Sequence, residues 1–552
     1  MLLSGADILV KTLIEQGCDT VFGYPGGQIL DVYDSLYTHK EQINHILTAH
    51  EQGAAHAADG YARTTGRVGV VISTSGPGAT NLVTGIATAH LDSSPLVAIC
   101  GNVPTTQIGT DSFQEIDITG ITLPITKHNY FVSSVEELAE TIREAFTLAI
   151  SGRPGPVLID IPKDVQTAMC EYIPAPASEK EPPFAAKEMR INAAAELINE
   201  ARRPFIYFGG GVSIANAQEE MLALAEKIDS PIACSLMGLS TIPSDHPRFL
   251  GMQGMHGNIA ANKAMQRADL IICLGARFND RATGNRHKFA LNTRIVHIDI
   301  DGSELNKTVN ASTALRGDLK LTLSKLLPLI NETKKPEWTA KIENLKRDEE
   351  EASDRRDGMT PKNVILALNK RLGENTAVCT DVGQHQMWSA QNLTFKKCRR
   401  FITSGGLGTM GFGLGAAIGA YFGTKEPSVL ITGDGGFGMS LNELATAVSY
   451  KVPVVIIIMN NGVLGMVRQW QTLFFDKHYS GTVLDRKTNF SQLAKAFGAD
   501  GEAVSSISEF VSALENAFNQ NGPYVIDCAI DKDELVFPML PPGGSMDDII
   551  VK

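Results

Sequence analysis

The chain has 552 residues, too many for one hydrophobic core and enough for three or four domains of about 150 residues each. Its composition, 43% hydrophobic and 20% charged, is that of an ordinary globular protein. Sixty-one acidic against 49 basic residues give a net charge of −12, which leaves no polybasic footprint for nucleic acid or an anionic membrane. Residues 1–10 are broken by Ser4, Gly5 and Asp7 and are expected to be neither signal peptide nor membrane span. The eight cysteines are scattered without a Cys-x-x-Cys pair, as expected of buried thiols in a reducing cytoplasm.

Strand-like and helix-like stretches alternate in three blocks. The first, to about Pro174, offers strands at 68–73, 95–100 and 157–161 and a helix at 52–64, a pattern that predicts a parallel sheet covered on both faces. Residues 173–187, rich in Pro and charge, have linker composition. The second block offers strands at 205–208, 231–234, 270–274 and 294–300 and closes with the charged stretch 334–357, expected as an exposed connecting helix. The third has a strand at 377–380, a Gly-rich turn at 405–415 and a strand at 524–530. The expected fold class is α/β, with three consecutive doubly wound, mainly parallel-sheet domains at 1–175, 188–335 and 361–535 and a tail at 536–552.

Residues 428–461 carry the most chemistry. An apolar, β-branched run ends in a glycine turn, Gly433-Asp434-Gly435; a helix-like stretch at 441–449 follows, then a second buried run at 452–459 that ends in Asn460-Asn461. Either polar motif alone marks a turn. Together they place a carboxylate and a carboxamide at strand ends. Mg²⁺ takes about six oxygens, several of them from phosphate or water, so Asp434, Asn461 and the carbonyl of Val463 form a suitable partial shell for a diphosphate held through a cation. Thiamine diphosphate is then the leading cofactor. It needs a buried carboxylate beside N1′ of its aminopyrimidine, and Glu51 in His50-Glu51-Gln52 fits, although a glutamate at a helix start is also an ordinary dipole preference. The loop from Ser73 to Asn81 lets backbone approach a ligand, and Gly209, Gly210 and Gly211 after a strand could cradle a phosphate.

With these pieces the chain resembles the acetohydroxyacid synthase (acetolactate synthase) family of thiamine-diphosphate enzymes, nearly end to end. The likeness is carried by Phe22 to Gly27 (FGYPGG), His50-Glu51-Gln52, Thr74 to Asn81 (TSGPGATN), Asp111 to Glu115 (DSFQE), Ser151 to Pro156 (SGRPGP), Gly254-Met255-His256-Gly257, Arg277 to Arg281 (RFNDR), Asp381 to Trp388 (DVGQHQMW), Gly405 to Gly413 (GGLGTMGFG) and Gly465 to Gln471 (GMVRQWQ). It implies pyrimidine-binding, central FAD-binding and diphosphate-binding domains in that order. The implied reaction is decarboxylation of pyruvate and carboligation to a second 2-oxo acid, pyruvate giving 2-acetolactate and 2-oxobutyrate giving 2-aceto-2-hydroxybutyrate, at the head of branched-chain amino-acid biosynthesis. The alternatives are a catabolic acetolactate synthase, a pyruvate oxidase-like enzyme and a non-catalytic homologue.

By the same resemblance Glu51 activates the cofactor, Gln114 and Gly27 line the reaction centre, Arg281 receives the carboxylate of the second oxo acid and Trp470 packs on the extra methyl of 2-oxobutyrate. Tyr24, Pro25, Gly26, Pro77, Asn81, Gln384, His385, Gly408, Met410, Gly433, Gly435, Gly436, Gly465 and Met466 join Glu51, Asp434 and Asn461 around thiamine diphosphate, with Met410 beneath the ring. Arg153, Gly209, Gly210, Gly211, Ser235, Leu236, Met255, His256, Arg277, Asn279, Arg281, Asp299, Ile300 and Asp318 surround a non-redox FAD. A homodimer or tetramer with sites at the subunit interface is implied, and a small regulatory subunit is a further implied partner. Three positions depart from the family: Asn279 stands for Asp, Gln28 for a small residue, and Gly415 for Pro, which is expected to add backbone freedom. The segments 471–485 and 541–552 are expected to be mobile, the tail serving as a lid.

Overall fold

The computed structural model describes residues 1–177, 182–353, 355–541, 543–545 and 548–551. Parts of the linker (178–181), of the charged stretch (354) and of the tail (542, 546, 547 and 552) therefore lie outside the described residues. The chain forms two compact units: one holds the first and third sheets, the other the central sheet together with residues 386–401 and those from Asp533 onward.

The first sheet runs, in spatial order, Asn44–Leu47, Thr20–Tyr24, Gly69–Ser73, Leu96–Asn102, Pro156–Pro162 and His128–Phe131, all parallel. Successive side chains on a strand face opposite ways. Val70, Ile72, Val97 and Ile99 accordingly pack with the helices Gly5–Glu15 and Val135–Ile150, while Val71, Leu96, Ala98 and Cys100 pack with the helices Glu51–Thr65 and Val83–Asp92. The third sheet runs Phe401–Ile402, Ala377–Thr380, Ser428–Gly433, Val454–Asn460, Tyr524–Ala529 and Asp500–Val504. Counted in chain order, both sheets have the strand order 2-1-3-4-6-5. The central sheet, Phe249–Met252, Ile232–Cys234, Pro204–Phe208, Leu270–Leu274, Arg294–Asp299 and Thr313–Arg316, is parallel with the order 3-2-1-4-5-6. The fold class expected from the sequence is the one observed.

In the first unit the helices Glu51–Thr65 and Phe412–Thr424 make the most extensive contact between any two elements. A Cβ on Gly419 would fall 1.8 Å from the Ala57 carbonyl oxygen, one on Gly60 2.2 Å from that of Ala416, and one on Gly415 2.7 Å from that of Gly53. These glycines leave room for backbone against backbone. Gly415 therefore does not loosen the chain as expected; it lies buried inside a helix. The Gly-rich turn is likewise shorter than expected, ending at Gly411 (φ 88°), which caps the helix opened by Phe412.

Two further expectations change. The charged stretch forms the helix Pro336–Ala352, but it is no bare connector: Trp338, Ile342 and Leu345, at i, i+4 and i+7, are buried in the central core, and Trp338 Nε1 donates to the Pro204 carbonyl at 3.0 Å. The tail is tied into the second unit, where Met539 and Ile550 exchange two backbone hydrogen bonds at 2.9 Å, Leu540 N donates to the Met255 carbonyl at 3.0 Å and Leu540 is fully buried. All eight cysteines are free thiols, and no helix among the described residues is long and apolar enough to cross a membrane.

Gly419→Ala is expected to lower stability by about 1–3 kcal/mol through overpacking, read as an earlier thermal or denaturant midpoint.

Candidate active site

In doubly wound sheets ligands settle beyond the carboxyl ends of the strands, where the winding reverses. In the first sheet that point lies between Thr20–Tyr24 and Gly69–Ser73, whose exits carry Tyr24 to Gly27 and Thr74 to Asn81. A Cβ on Gly26 would fall 2.5 Å from the Thr74 side chain, and Gln28 N donates to Thr74 Oγ1 at 3.3 Å, so the two exits lock together. Glu51 opens the next helix, capped by His50, whose Nδ1 accepts from Gln52 N at 3.1 Å. The Glu51 carboxylate is 9% exposed; Asn81 Nδ2 donates to its Oε2 at 2.9 Å, and a Cβ on Gly78 would stand 3.3 Å from its Oε1. Gln114, at φ 63°, lies over Gly76, where a Cβ would fall 2.9 Å from it. Glu51, Asn81, Gly26, Pro77 and Gln114 thus gather at one end of the sheet, while Tyr24, Gly27 and Pro77 are exposed and Pro25 is half-buried.

The third sheet repeats the arrangement between Ala377–Thr380 and Ser428–Gly433. Asp381, at the exit of the first of these strands, accepts from the amides of Val382 (2.8 Å), Gly411 (3.0 Å) and Gly413 (3.1 Å) and so holds the stretch bearing Gly408 and Met410. Asp434 opens the helix Asp434–Ser440, making Gly433-Asp434-Gly435 a strand-to-helix junction rather than a glycine turn. Burial raises the Asp434 carboxyl to about 6, against hydrogen bonds from the amides of Gly435 and Asn461 and with a further push from the Asp527 charge. Asn461 Nδ2 lies 3.4 Å from Gln384 Oε1, and its own Oδ1 accepts from Val463 N at 3.2 Å. Gln384 Nε2 donates to Gln469 Oε1 at 3.0 Å. Met410 Cε lies against Gly435, where a Cβ would stand 3.8 Å away, and a Cβ on Gly436 would meet Asp381 Oδ1 at 2.7 Å. His385 is buried beside Gly433, its pKa pushed down to about 4 by burial, and its Nε2 has no hydrogen-bond partner.

These residues fit a diphosphate and its cation. Among the described residues no cluster of three or more His, Cys, Asp and Glu could hold a metal alone. A cation here would need Asp434, Asn461, the Val463 carbonyl and oxygens from a ligand, the mixed hard shell that Mg²⁺ accepts. The orphaned His385 nitrogen leaves an unused polar group beside it, while a Cβ on Gly435 would fall 2.8 Å from Leu464 and one on Gly433 3.2 Å from the His385 ring, so both positions require glycine. A Cβ on Gly465 would fall 2.0 Å from Gln384 Oε1, so that glycine keeps the Gln384 amide in place.

Sequence reasoning assigned no role to the carboxylates that brace these loops. Glu443, 1% exposed, reaches the start of the Glu51 helix: its Oε2 accepts from Ala49 N at 3.1 Å, and a Cβ on Gly53 would collide with its Oε1 at 2.1 Å. Burial raises its pKa. Asp381 was legible only as a polar residue directly after an apolar strand.

In the central sheet the winding reverses between Pro204–Phe208 and Leu270–Leu274, the order and place used for dinucleotides. Gly209, Gly210 and Gly211 lie there. Cβ atoms on Gly209 and Gly211 would fall 2.3 and 2.7 Å from Gly275, and one on Gly210 3.2 Å from the Met237 carbonyl oxygen, so the triplet serves close chain packing whatever it binds. Ser235 N donates to the Phe208 carbonyl at 2.8 Å and precedes the single turn Leu236–Gly238. Met255 N donates to the Arg281 carbonyl at 2.7 Å. The Arg281 side chain is 60% exposed, 3.8 Å from Asp280 and 3.6 Å from Met255 Sδ. His256, held near 4 by burial, has Nδ1 3.1 Å from the Pro538 carbonyl oxygen.

Asn279 Oδ1 caps the helix Asp280–Thr283 by accepting from Ala282 N at 3.0 Å, a task Asn and Asp perform equally well. Asp318 caps the helix Leu319–Leu326, and Asp299 Oδ1 accepts from Asp301 N at 2.9 Å. Arg277 lies three residues past the strand ending at Leu274, and Ile300 directly follows the one ending at Asp299. Arg153 belongs to the first unit, where its Nε donates to Ser93 Oγ at 2.9 Å. Trp470, half-buried with Met466 on the helix Gly465–Phe474, stacks edge-on against Phe474 at 5.5 Å; it belongs to the first unit and Arg281 to the second.

A buried glutamate after one doubly wound sheet, an Asp–Asn pair after its topological twin and a third sheet of the dinucleotide-binding order between them in sequence are the arrangement a thiamine diphosphate enzyme needs. Family models agree: the N-terminal TPP binding domain of thiamine pyrophosphate enzymes matches residues 3–121, the central domain 191–326 and the C-terminal TPP binding domain 381–528. The chain is 46% identical to a probable acetolactate synthase large subunit of Methanocaldococcus jannaschii, covering 99% of this chain and 95% of the relative. It is 45% identical to acetolactate synthase isozyme 2 large subunit of Escherichia coli over 100% of both chains, and 45% identical to the acetolactate synthase large subunit of Corynebacterium glutamicum over 99% of this chain and 90% of the relative. The chain belongs to the acetolactate synthase large-subunit family.

A cation held by Asp434 would need its ionised form, so divalent-cation affinity is expected to fall about tenfold per pH unit below about 6 and to level off above it. Calorimetric titration with Mg²⁺ and thiamine diphosphate across pH 5–8 checks this, and Asp434→Asn should bind weakly at every pH.

Proposed function

We propose that the protein decarboxylates pyruvate and joins the two-carbon fragment to a second 2-oxo acid, giving 2-acetolactate from pyruvate and 2-aceto-2-hydroxybutyrate from 2-oxobutyrate, as the first common step of branched-chain amino-acid biosynthesis. The observation that carries this reading is Glu51, a carboxylate buried at a helix start and steered by Asn81, in a chain whose relatives are named acetolactate synthases. Bound thiamine diphosphate would supply the electron sink that accepts the carbanion left by departing CO₂.

The chain's own groups do the remainder. Glu51 holds a proton at N1′ of the aminopyrimidine, and Asn81 fixes its rotamer. Asp434, Asn461 and the Val463 carbonyl hold Mg²⁺; Gln384 and His385 stand at the diphosphate, and Met410 supports the ring. Gln114 and Gly27 border the reacting carbon. Arg281 receives the carboxylate of the second oxo acid, for which a guanidinium fork is well shaped, and Trp470 packs on its alkyl group. Arg277, Asp299 and Asp318 would hold FAD at the central switch point, where it would have no net redox work in this reaction.

Glu51 follows the first sheet and Asp434 the third, and a complete site would combine Glu51 of one chain with Asp434 of another, with a homodimer as the smallest active form. Several relatives are named large subunits, which supports a small regulatory partner. The work belongs in the cytoplasm.

Purified protein incubated with pyruvate, Mg²⁺, thiamine diphosphate and FAD should give acetolactate and CO₂ without peroxide, and acetohydroxybutyrate when 2-oxobutyrate is added. Peroxide or acetyl phosphate would move the chain to the oxidases. Glu51→Gln should lower acetolactate formation about 10²- to 10⁴-fold, the range of a lost acid–base group, while thiamine diphosphate still binds.

A further inference from the structure

Apart from the groups assigned to cofactor and substrate, the first unit contains a buried charge cluster. Arg63 Nε and Nη2 donate to Asp59 at 2.7 and 2.8 Å, Nη2 also donates to Asp92 at 3.0 Å, and Nη1 donates to the Thr403 carbonyl at 2.7 Å. Both carboxylates are fully buried and Arg63 is 10% exposed. One guanidinium therefore faces two carboxylates, and the charge left over must find donors elsewhere. It finds them in the amides of Gly405, 3.1 Å from Asp92 Oδ2, and Gly406, 2.6 Å from Asp92 Oδ1. A Cβ on Gly406 would fall 2.8 Å from that oxygen.

The position of Asp92 is costly in two ways. It is the last residue of the helix Val83–Asp92, where the helix dipole disfavours a carboxylate, and burial raises its pKa. A residue that breaks a local rule without local benefit marks a place under another constraint. The loop it binds supplies that constraint. Gly406, Leu407 and Gly408 are exposed, so this stretch has little packing of its own. On its inner side Thr88 Oγ1 lies 2.7 Å from Thr409 Oγ1, and Asp381 takes the amide of Gly411. Met410 sits between the Asp92 clamp and the Asp381 clamp, with its Cε against Gly435, the residue after Asp434.

We propose that Asp92, oriented by Arg63, is a positioning residue for the diphosphate half-site: it pins residues 405–410 and thereby holds Met410 against the helix that carries Asp434. If the loop lifts, a buried carboxylate loses both amide donors at once, so loop and carboxylate stand or fall together. The proposal rests on the function proposed above.

Asp92→Asn keeps the side-chain shape and removes the charge. In the full-length protein it should raise the thiamine diphosphate concentration for half-saturation at least tenfold and lower kcat at least tenfold, with the KM for pyruvate changed less than threefold. Met410→Ala should produce a similar loss, and adding Asp92→Asn to Met410→Ala should cost no more than another twofold. Arg143→Ala breaks an ion pair with Glu15 in the same unit and should leave half-saturation unchanged. The proposal is overturned if Asp92→Asn behaves as wild type, if its effect multiplies in full with that of Met410→Ala, or if Arg143→Ala has the same effect. Should Asp92→Asn fail to fold, Arg63→Lys, which keeps the charge and loses the fork, is read by the same criteria. Wild-type protein that takes up no thiamine diphosphate would instead overturn the functional reading, and the proposal with it.

Discussion

The backbone contact between the helices Glu51–Thr65 and Phe412–Thr424 sets the positions of almost everything else in the first unit. Where carbonyl oxygens leave no room for a Cβ, helix separation is set by backbone atoms alone and cannot drift with side-chain rotamers. Glu51 begins one of these helices, and the Met410 loop leads into the other. Gly60, Gly415 and Gly419 therefore fix where two helix starts lie relative to two sheets. Buried alanines at 54, 55, 57 and 58 on one helix and 416, 417 and 420 on the other keep both helices slim with the least bulk that still favours helix.

Buried carboxylates then specify the loops that the helices only aim. Asp381, Asp92 and Glu443 each accept backbone amides from segments far away in the chain. An uncompensated buried charge costs about 3–5 kcal/mol, so each of these loops has one low-energy position. Hydrophobic packing alone could not supply this precision, because glycine-rich loops such as 405–411 have few side chains to pack. The histidines differ: burial keeps His385 and His256 neutral near pH 7, so they offer dipoles and lone pairs without charge.

Most interior strands were legible in the sequence because they are short apolar runs buried on both faces, and 270–274 and 377–380 coincide with the observed strands residue for residue; the interior strand Thr20–Tyr24 was missed, its run shortened by Gly23. The edge strands Asn44–Leu47, His128–Phe131 and Asp500–Val504 were not, since half-exposed strands of mixed polarity read as loop. The charged run 334–357 hid three core residues at helical spacing. At the candidate site, the sequence singled out Asp434, Asn461 and Glu51 because the chemistry proposed for them is local to a motif. Asp92, Arg63, Asp381 and Glu443 could not, because each works on amides that become neighbours only after folding. Gly415 shows the same limit: one glycine reads as freedom in a string and as close packing in the fold.

The two helices that touch at glycine are separated in the chain by the whole central sheet. At about 5–20 residues per second, a ribosome would present the first for some tens of seconds before the second emerges, its alanine and glycine stripe bare in the meantime. The second unit waits still longer, since Leu540 fills its place beside Met255 only when the last residues are made. Biogenesis of this chain thus has long intervals with half-built interfaces, a natural opening for chaperones and for pairing with another nascent copy.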